Sequence, residues 1–301
     1  MSDMQEITKI KSVSIFNSER GQITLHPLVS VLDQSKSCPI KQSKYLSELY
    51  IVFMKDTKCE ELTYGRSHYD YEDGSILFIA PGQLFGFSSN EKLIQPSGWA
   101  LCFHPDLIRG TSLSKSIREY GFFTYNSNEA LHVSSLERNE LLDCLIKIQQ
   151  ELSKPIDKHS RTLIVNNIEL FLNYCRRFYD RQFITREFEN KDILNKFEEL
   201  IESYINSNKS EELGLPSVSY FANELHLSPK YFGDLIKKET GNSAQDLIHL
   251  KLIELAKEKI YDTSKSISEI SYQLGFKYPS HFTRFFKQRV GKTPFEYRSL
   301  N

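Results

Sequence analysis

The chain offers no run of apolar residues long enough to cross a bilayer, which takes about 20. Its first residues, MSDMQEITKIKSVS, lack the charged and apolar regions of a secretion signal. Export and membrane insertion are therefore not expected, and a cytoplasmic location is. Cysteine is scarce. Cys38, Cys59, Cys102, Cys144 and Cys175 are odd in number, scattered, and form neither a CxxC pair nor a zinc pattern. That excludes a disulfide scaffold and a zinc site, and it leaves small apolar thiols in a reducing compartment. No glycine-rich phosphate loop, GxSxG elbow or HExxH helix is present, so the sequence announces no enzyme, cofactor or metal. An overall charge excess is missing as well, because the formal net charge is only −1.

That near-neutrality hides a division. From Pro216 onward there are 13 Lys/Arg against 9 Asp/Glu, a net of +4, and the rest of the chain carries −5. The basic part coincides with one unit written twice. In VSYFANELHLSPKYFGDLIKKETGNS the residues Val218, Phe221, Leu225 and Leu227 precede Phe232, Lys237, Gly241 and Ser243. ISEISYQLGFKYPSHFTRFFKQRVGKT answers with Ile267, Ile270, Leu274 and Phe276, then Phe282, Lys287, Gly291 and Thr293. The offset is 49 before the turn and 50 after it, which puts one extra residue in the second turn.

Each copy reads as a helix-turn-helix. In the second, Phe282, Phe285 and Phe286 form the inward stripe, and Ser280, Thr283, Arg284 and Lys287 the outward one. Pro279 suits the first helical position and Gly291 the left-handed stop. The first repeats these signals with Ser228 as N-cap, Pro229 at the first position and Gly241 past the end, and its outward residues are Lys230, Gly233, Asp234 and Lys237. A short helix presenting hydroxyls, Arg and Lys is suited to the major groove of double-stranded DNA. Between the copies, SAQDLIHLKLIELAKEKIYDT has Leu247, Leu250, Ile253, Leu255 and Ile260 at helical spacing and no internal Gly or Pro. It predicts one connecting helix of about 20 residues, ~30 Å long, close to the ~34 Å between successive major-groove faces.

The segment LGFKYPSHFTRFFKQRVGKTPFEYR resembles the carboxy-terminal signature of AraC/XylS-type bacterial transcriptional regulators. The resemblance rests on Gly275-Phe276, the run Phe282, Arg284, Phe286-Lys287, Gly291, Thr293-Pro294 and Tyr297-Arg298. It implies two helix-turn-helix units on a long helix. It places the family's base-reading positions on Lys230, Gly233 and Asp234 and on Ser280, Thr283 and Arg284. Asp234 is an acid where a basic or amide residue is common, Gly233 has no side chain, and Ser271 stands where Ala is usual.

Upstream, YLSELYIVFMKD, KCEELTYG, SILFIAP, LFGFSS and SGWALCFHP read as short strands with breaks at EDG, PGQ and PSG. A small barrel or jelly roll follows, and the resemblance points to a cupin-like sensor. His26, His68 and His104 are each isolated, which argues against a catalytic metal. Tyr64, His68 and Trp99 are the candidate effector contacts in a region otherwise rich in core aromatics. Two helical stretches follow, SSLERNELLDCLIKIQQEL and SRTLIVNNIELFLNYCRRFYDRQFIT, with Pro155 between them. Arg176, Arg177, Arg181 and Arg186 sit at the end of this pair, as a solvated face or as phosphate contacts.

The expected architecture is α+β: a cupin-like sensor barrel over 1–130, a helical hairpin over 131–186, a linker and leading helix over 187–215, and a double helix-turn-helix over 216–301. The expected function is sequence-specific regulation of transcription, controlled by a small-molecule effector or partner protein. By resemblance, a homodimer and RNA polymerase are the other partners, and no membrane is involved. The alternatives are an effector-independent DNA-binding protein and a cupin-type enzyme with a helical assembly tail.

Overall fold

A computed structural model of the chain describes residues 7–41, 43–55, 61–64, 74–88, 93–126, 129–185, 187–207 and 209–299. The chain divides between Thr185 and Arg186 into two compact units. No helix among the described residues is long and apolar enough to cross a membrane.

The amino-terminal unit carries strands β1 (Ile7–Ile10), β2 (Val29–Asp33), β3 (Ile40–Lys41), β4 (Ser43–Ser47), β5 (Tyr50–Met54), β6 (Glu61–Tyr64), β7 (Ser75–Ile79), β8 (Leu84–Ser88), β9 (Leu93–Ile94), β10 (Trp99–Phe103) and β11 (Leu131–His132). Its helices are α1 (Val13–Ser18), α2 (Pro105–Ile108), α3 (Ser112–Ser116), α4 (Ser135–Leu152) and α5 (Ser160–Thr185). One sheet runs β11-β7-β5-β10-β2, a second β1-β4-β8-β6, and β3 pairs with β9. Among the described residues these are separate sheets, not one closed ladder. The class is α+β.

The five-stranded sheet reads as continuous apolar runs, YIVFM, SILFI and WALCF, because both of its faces are covered. Period-two alternation divides each run between two layers. Ile51, Phe53, Leu77, Ile79, Ala100 and Cys102 enter a core shared with Tyr45 and Phe85 of the second sheet. On the opposite face Phe78 packs on Phe122 and Phe123, and on Tyr179 of α5. Of the isolated histidines, His26 accepts from the Leu28 N–H at 3.1 Å, and His104 caps α2 by accepting from the Asp106 N–H at 3.2 Å.

Ser134 caps α4, and Glu137 at the third position closes a reciprocal capping box with it. The buried stripe of α4 is Leu141, Cys144, Leu145, Ile148 and Leu152. Arg181 is tied down within its own unit, gripping Glu137 at 2.9 and 3.0 Å and the His132 carbonyl at 2.7 Å. Arg176 lies over the Tyr120 ring and donates to Asn173 at 3.1 Å. Both cations hold α5 against its own unit.

The carboxy-terminal unit contains α6 (Glu187–Asn206), α7 (Lys209–Leu213), α8 (Val218–Glu224), α9 (Pro229–Thr240), α10 (Ala244–Ile260), α11 (Ile267–Gln273), α12 (Pro279–Val290) and α13 (Pro294–Arg298). Its core begins earlier than the repeated sequence. Phe197 of α6 is fully buried and meets Phe221 and Phe232 edge-on, with centroids 5.3 and 4.9 Å away. Asn190 donates to Glu239 at 2.8 Å, fastening the start of α6 to the end of α9.

Candidate nucleic-acid interface

The two sequence copies fold as one backbone motif used twice. Helix α8 starts on Ser217 and α11 on Ser266, each hydroxyl accepting from the third backbone N–H of its helix. Both helices stop in the same way. Leu227 N–H bonds the Ala222 carbonyl at 2.8 Å, and Phe276 N–H bonds the Ser271 carbonyl at 3.0 Å, the long bond of a Schellman turn. The turn residues are left-handed, His226 at φ 57° and Gly275 at φ 88°.

The residue types differ because their surroundings differ. His226 is exposed and tolerates a side chain. At Gly275 an added Cβ would lie 2.7 Å from the backbone of Gly214, so only glycine lets the second turn seat against the end of α7. Helix α9 then begins at Pro229 on the Ser228 cap, and α12 at Pro279 after Tyr278, which supplies no side-chain cap. Both end on left-handed glycines, Gly241 and Gly291.

Burial separates the faces as helical spacing requires. Phe232, Leu235 and Ile236 are buried in α9, and Phe282 and Phe286 in α12, with Phe285 half-buried. On the other side of α12, Ser280, Thr283, Arg284 and Lys287 line one open concave surface, joined by Gln288. Thr283 donates its hydroxyl proton to the Pro279 carbonyl at 3.0 Å, which leaves its oxygen facing outward as an acceptor. Arg284 is exposed and makes no hydrogen bond or ion pair with any described residue. Gln288, absent from the sequence-based set, stands one turn beyond Arg284; that spacing of four is the signal that locates it.

The matching face of α9 is quieter. Lys230 and Asp234 pair at 2.6 Å, one turn apart, so part of the basic charge is neutralised in place. A Cβ at Gly233 would meet nothing within 4 Å, so the fold itself does not require glycine there. Lys237 is exposed on the same helix.

Helix α10, which joins the two motifs, spans 17 residues, ~26 Å at the usual rise. It is shorter than its pattern predicts because Ser243 caps one end and Tyr261 closes the other. Its buried face runs through Ala244, Ile248, Leu252, Ala256 and Ile260, while Leu250 is 49% exposed.

Of the residues expected to contact an effector, Trp99 is half-buried at the start of β10, opposite Asp33 and Met54. Tyr64 ends β6, in the other sheet. His68 lies outside the described residues. A cavity of about 310 Å³ in this unit lies elsewhere, between β2, the Gly21–Leu25 segment and the end of α4.

Residues 221–299 match a helix-turn-helix domain family. An uncharacterised HTH-type transcriptional regulator of Bacillus subtilis, YfiF, is 30% identical over 141 residues, 47% of this chain and 41% of that protein. The probable transcriptional regulator LumQ of Photobacterium leiognathi is 25% identical over 245 residues, 78% of this chain and 86% of LumQ. Among solved structures, the C-terminal domain of the two-component response regulator yesN from Fusobacterium nucleatum is 31% identical. That match covers 33% of this chain and 95% of the other, with a TM-score of 0.29. The chain spans less than half the length of YfiF and of other curated relatives it matches.

Proposed function

We propose, for a chain whose residues 221–299 match a helix-turn-helix domain family and resemble AraC-type regulators, a sequence-specific, cytoplasmic, DNA-binding regulator of transcription. Helices α9 and α12 enter successive major-groove segments of one duplex, held apart by α10. The single observation that carries this reading is the open ridge of α12, where the Arg284 guanidinium stands clear of described partners among hydroxyl, amide and ammonium groups. A fork of donors in that setting is suited to the O6 and N7 acceptors of guanine, and Ser280 and Thr283 to neighbouring base edges. Lys287 and Lys237 suit phosphate. In α9, Lys230 and the backbone at Gly233 are the reading elements, with Asp234 restraining Lys230. The ~26 Å of α10 leaves about 8 Å of the ~34 Å groove repeat to the motifs at its ends, less than one helix diameter.

The amino-terminal unit is the regulatory part. Its two sheets share an aromatic-lined core, which supports a cupin-like container. Tyr64, His68 and Trp99 are its candidate contacts to a small-molecule effector or a segment of a partner protein. Leu163 and Leu170, seven apart and both exposed on α5, support a homodimer built on that helix. An effector that favours one arrangement of this unit shifts the population able to hold DNA and engage RNA polymerase.

Selection of binding sites from a random duplex library tests the reading. Arg284→Ala should cost ~1–3 kcal/mol at the selected site and relax preference at its base pair, leaving nonspecific binding in place. Lys287→Ala should weaken all sequences alike and reduce the salt slope by about one. Wild-type preference and affinity in the Arg284 variant would refute the assignment.

A further inference from the structure

Two cations near the end of α12 part company. Lys287 joins Arg284 on the open ridge, whereas Arg289 folds back over the Phe285 ring, 5.5 Å from its centroid, to reach α10. There its Nη2 donates to His249 Nδ1 at 2.7 Å and lies 3.8 Å from Asp246 Oδ1. The second ring nitrogen, Nε2, is 2.9 Å from the Gln245 side-chain amide. A guanidinium only donates, so Nδ1 carries no proton and Nε2 does, which assigns oxygen to the Gln245 amide atom facing it.

Packing at this point is incomplete: the His249 ring meets Phe285 edge-on, with centroids 5.2 Å apart. A cavity of about 60 Å³ lies beside the cluster, lined by His249 and Phe285 together with Leu215, Pro216, Ile248 and Leu252. The backbone of α12 lies against α11 and α13, and at this point side chains of α12 reach α10. We infer that His249 is a positioning residue for the second reading helix: as a neutral acceptor for Arg289 it sets the pitch of α12 on α10, and its protonation releases that latch. This rests on the DNA-reading role of α12 proposed above.

The charged groups facing the ring are Arg289 from α12 and Asp246 from α10; the 215–216 segment presents only Leu and Pro. Burial first, and then the Arg289 cation, hold the imidazole below its ordinary range, with Asp246 opposing. A protonated ring would set N–H against N–H and cation beside cation. Because the folded value is depressed, the latch is whole above about pH 6.5 and is lost as pH falls from there through the folded value.

The test uses the full chain on a site selected at pH 7.5, with long-range ¹H–¹⁵N spectra of the His249 ring and hydroxyl-radical footprints at pH 7.5 and at the lower pH where those spectra show the ring charged. The half-site belonging to α12 is the one that Arg284→Ala loses. Wild type should show a neutral ring protonated at Nε2 at pH 7.5, and protection of that half-site should weaken about tenfold at the lower pH where the spectra show the ring charged. His249→Gln keeps an acceptor for Arg289 and should protect equally at both pH values, while all other imidazoles titrate as before. His249→Leu should lose about tenfold at pH 7.5 with no further pH step; should it fail to fold, the Gln variant carries the comparison. Equal protection by His249→Leu, or a wild-type half-site unchanged when the spectra show the ring charged, overturns the latch. Absence of any wild-type footprint overturns the DNA-binding reading instead. The ring spectra then judge the latch alone: a ring at pH 7.5 that is charged or protonated at Nδ1 contradicts it, and a neutral ring protonated at Nε2 supports it.

Discussion

Ser271 and Gly275 sit four residues apart, yet substitution acts on them in opposite directions. Ser271 is fully buried and its hydroxyl bonds no described residue, so the position carries the desolvation cost of a polar group without a return. Ser271→Ala should stabilise the carboxy-terminal unit by about 1 kcal/mol, read as a higher midpoint in calorimetry of the full chain. Gly275→Ala combines a left-handed backbone with a Cβ pressed 2.7 Å from Gly214 and should destabilise by ~2 kcal/mol or more. At His226 the left-handed strain is relieved by glycine, but the unfolded chain gains freedom. His226→Gly should therefore raise stability by only about 0.5 kcal/mol. Changes of equal size and opposite sign at positions 226 and 275 would show that contact with Gly214 is not what separates the two turns.

At the scale of elements, legibility followed local chemistry. Ser228, Pro229 and Gly241, and Pro279 and Gly291, mark helix ends through caps and backbone preferences that act within a few residues, and the structure places α9 and α12 between them. The pattern of α10 was less decisive: Leu247 and Leu250 fit helical spacing as well as Ile248 and Leu252 do, and which set is buried depends on neighbours far along the chain. The role of Phe197 was hidden for the same reason, since the ring belongs to a core whose other members, Phe221 and Phe232, are remote in sequence. In the sequence Arg289 is one more basic residue near Lys287, and its turn toward His249 is a tertiary fact. Gly233 gives the most informative test at this scale. Alanine there meets open space and should strengthen α9 by up to ~1 kcal/mol in calorimetry. If a duplex backbone approaches the bare helix at that point, the same variant binds its selected site more weakly. A gain in stability with unchanged affinity would remove Gly233 from the interface.

For the whole molecule, the boundary between Thr185 and Arg186 separates two compact units, and the basic excess lies within the second only from Pro216 onward, balanced by the acidic residues that precede it. The amino-terminal unit spends its polarity internally: Arg181 and Arg176 are committed to α5's own surroundings. The carboxy-terminal unit leaves Arg284 and Lys287 on an open ridge. The central claim is that one chain places α9 and α12 in consecutive major-groove segments of the same duplex. Methylation interference on a site selected with the full chain tests this most directly. Each bound chain should give two clusters of interfering major-groove contacts on one face of the DNA, about 10 base pairs apart, with Arg284→Ala erasing contacts in only one. A single cluster per chain, or two clusters on opposite faces, would contradict the account.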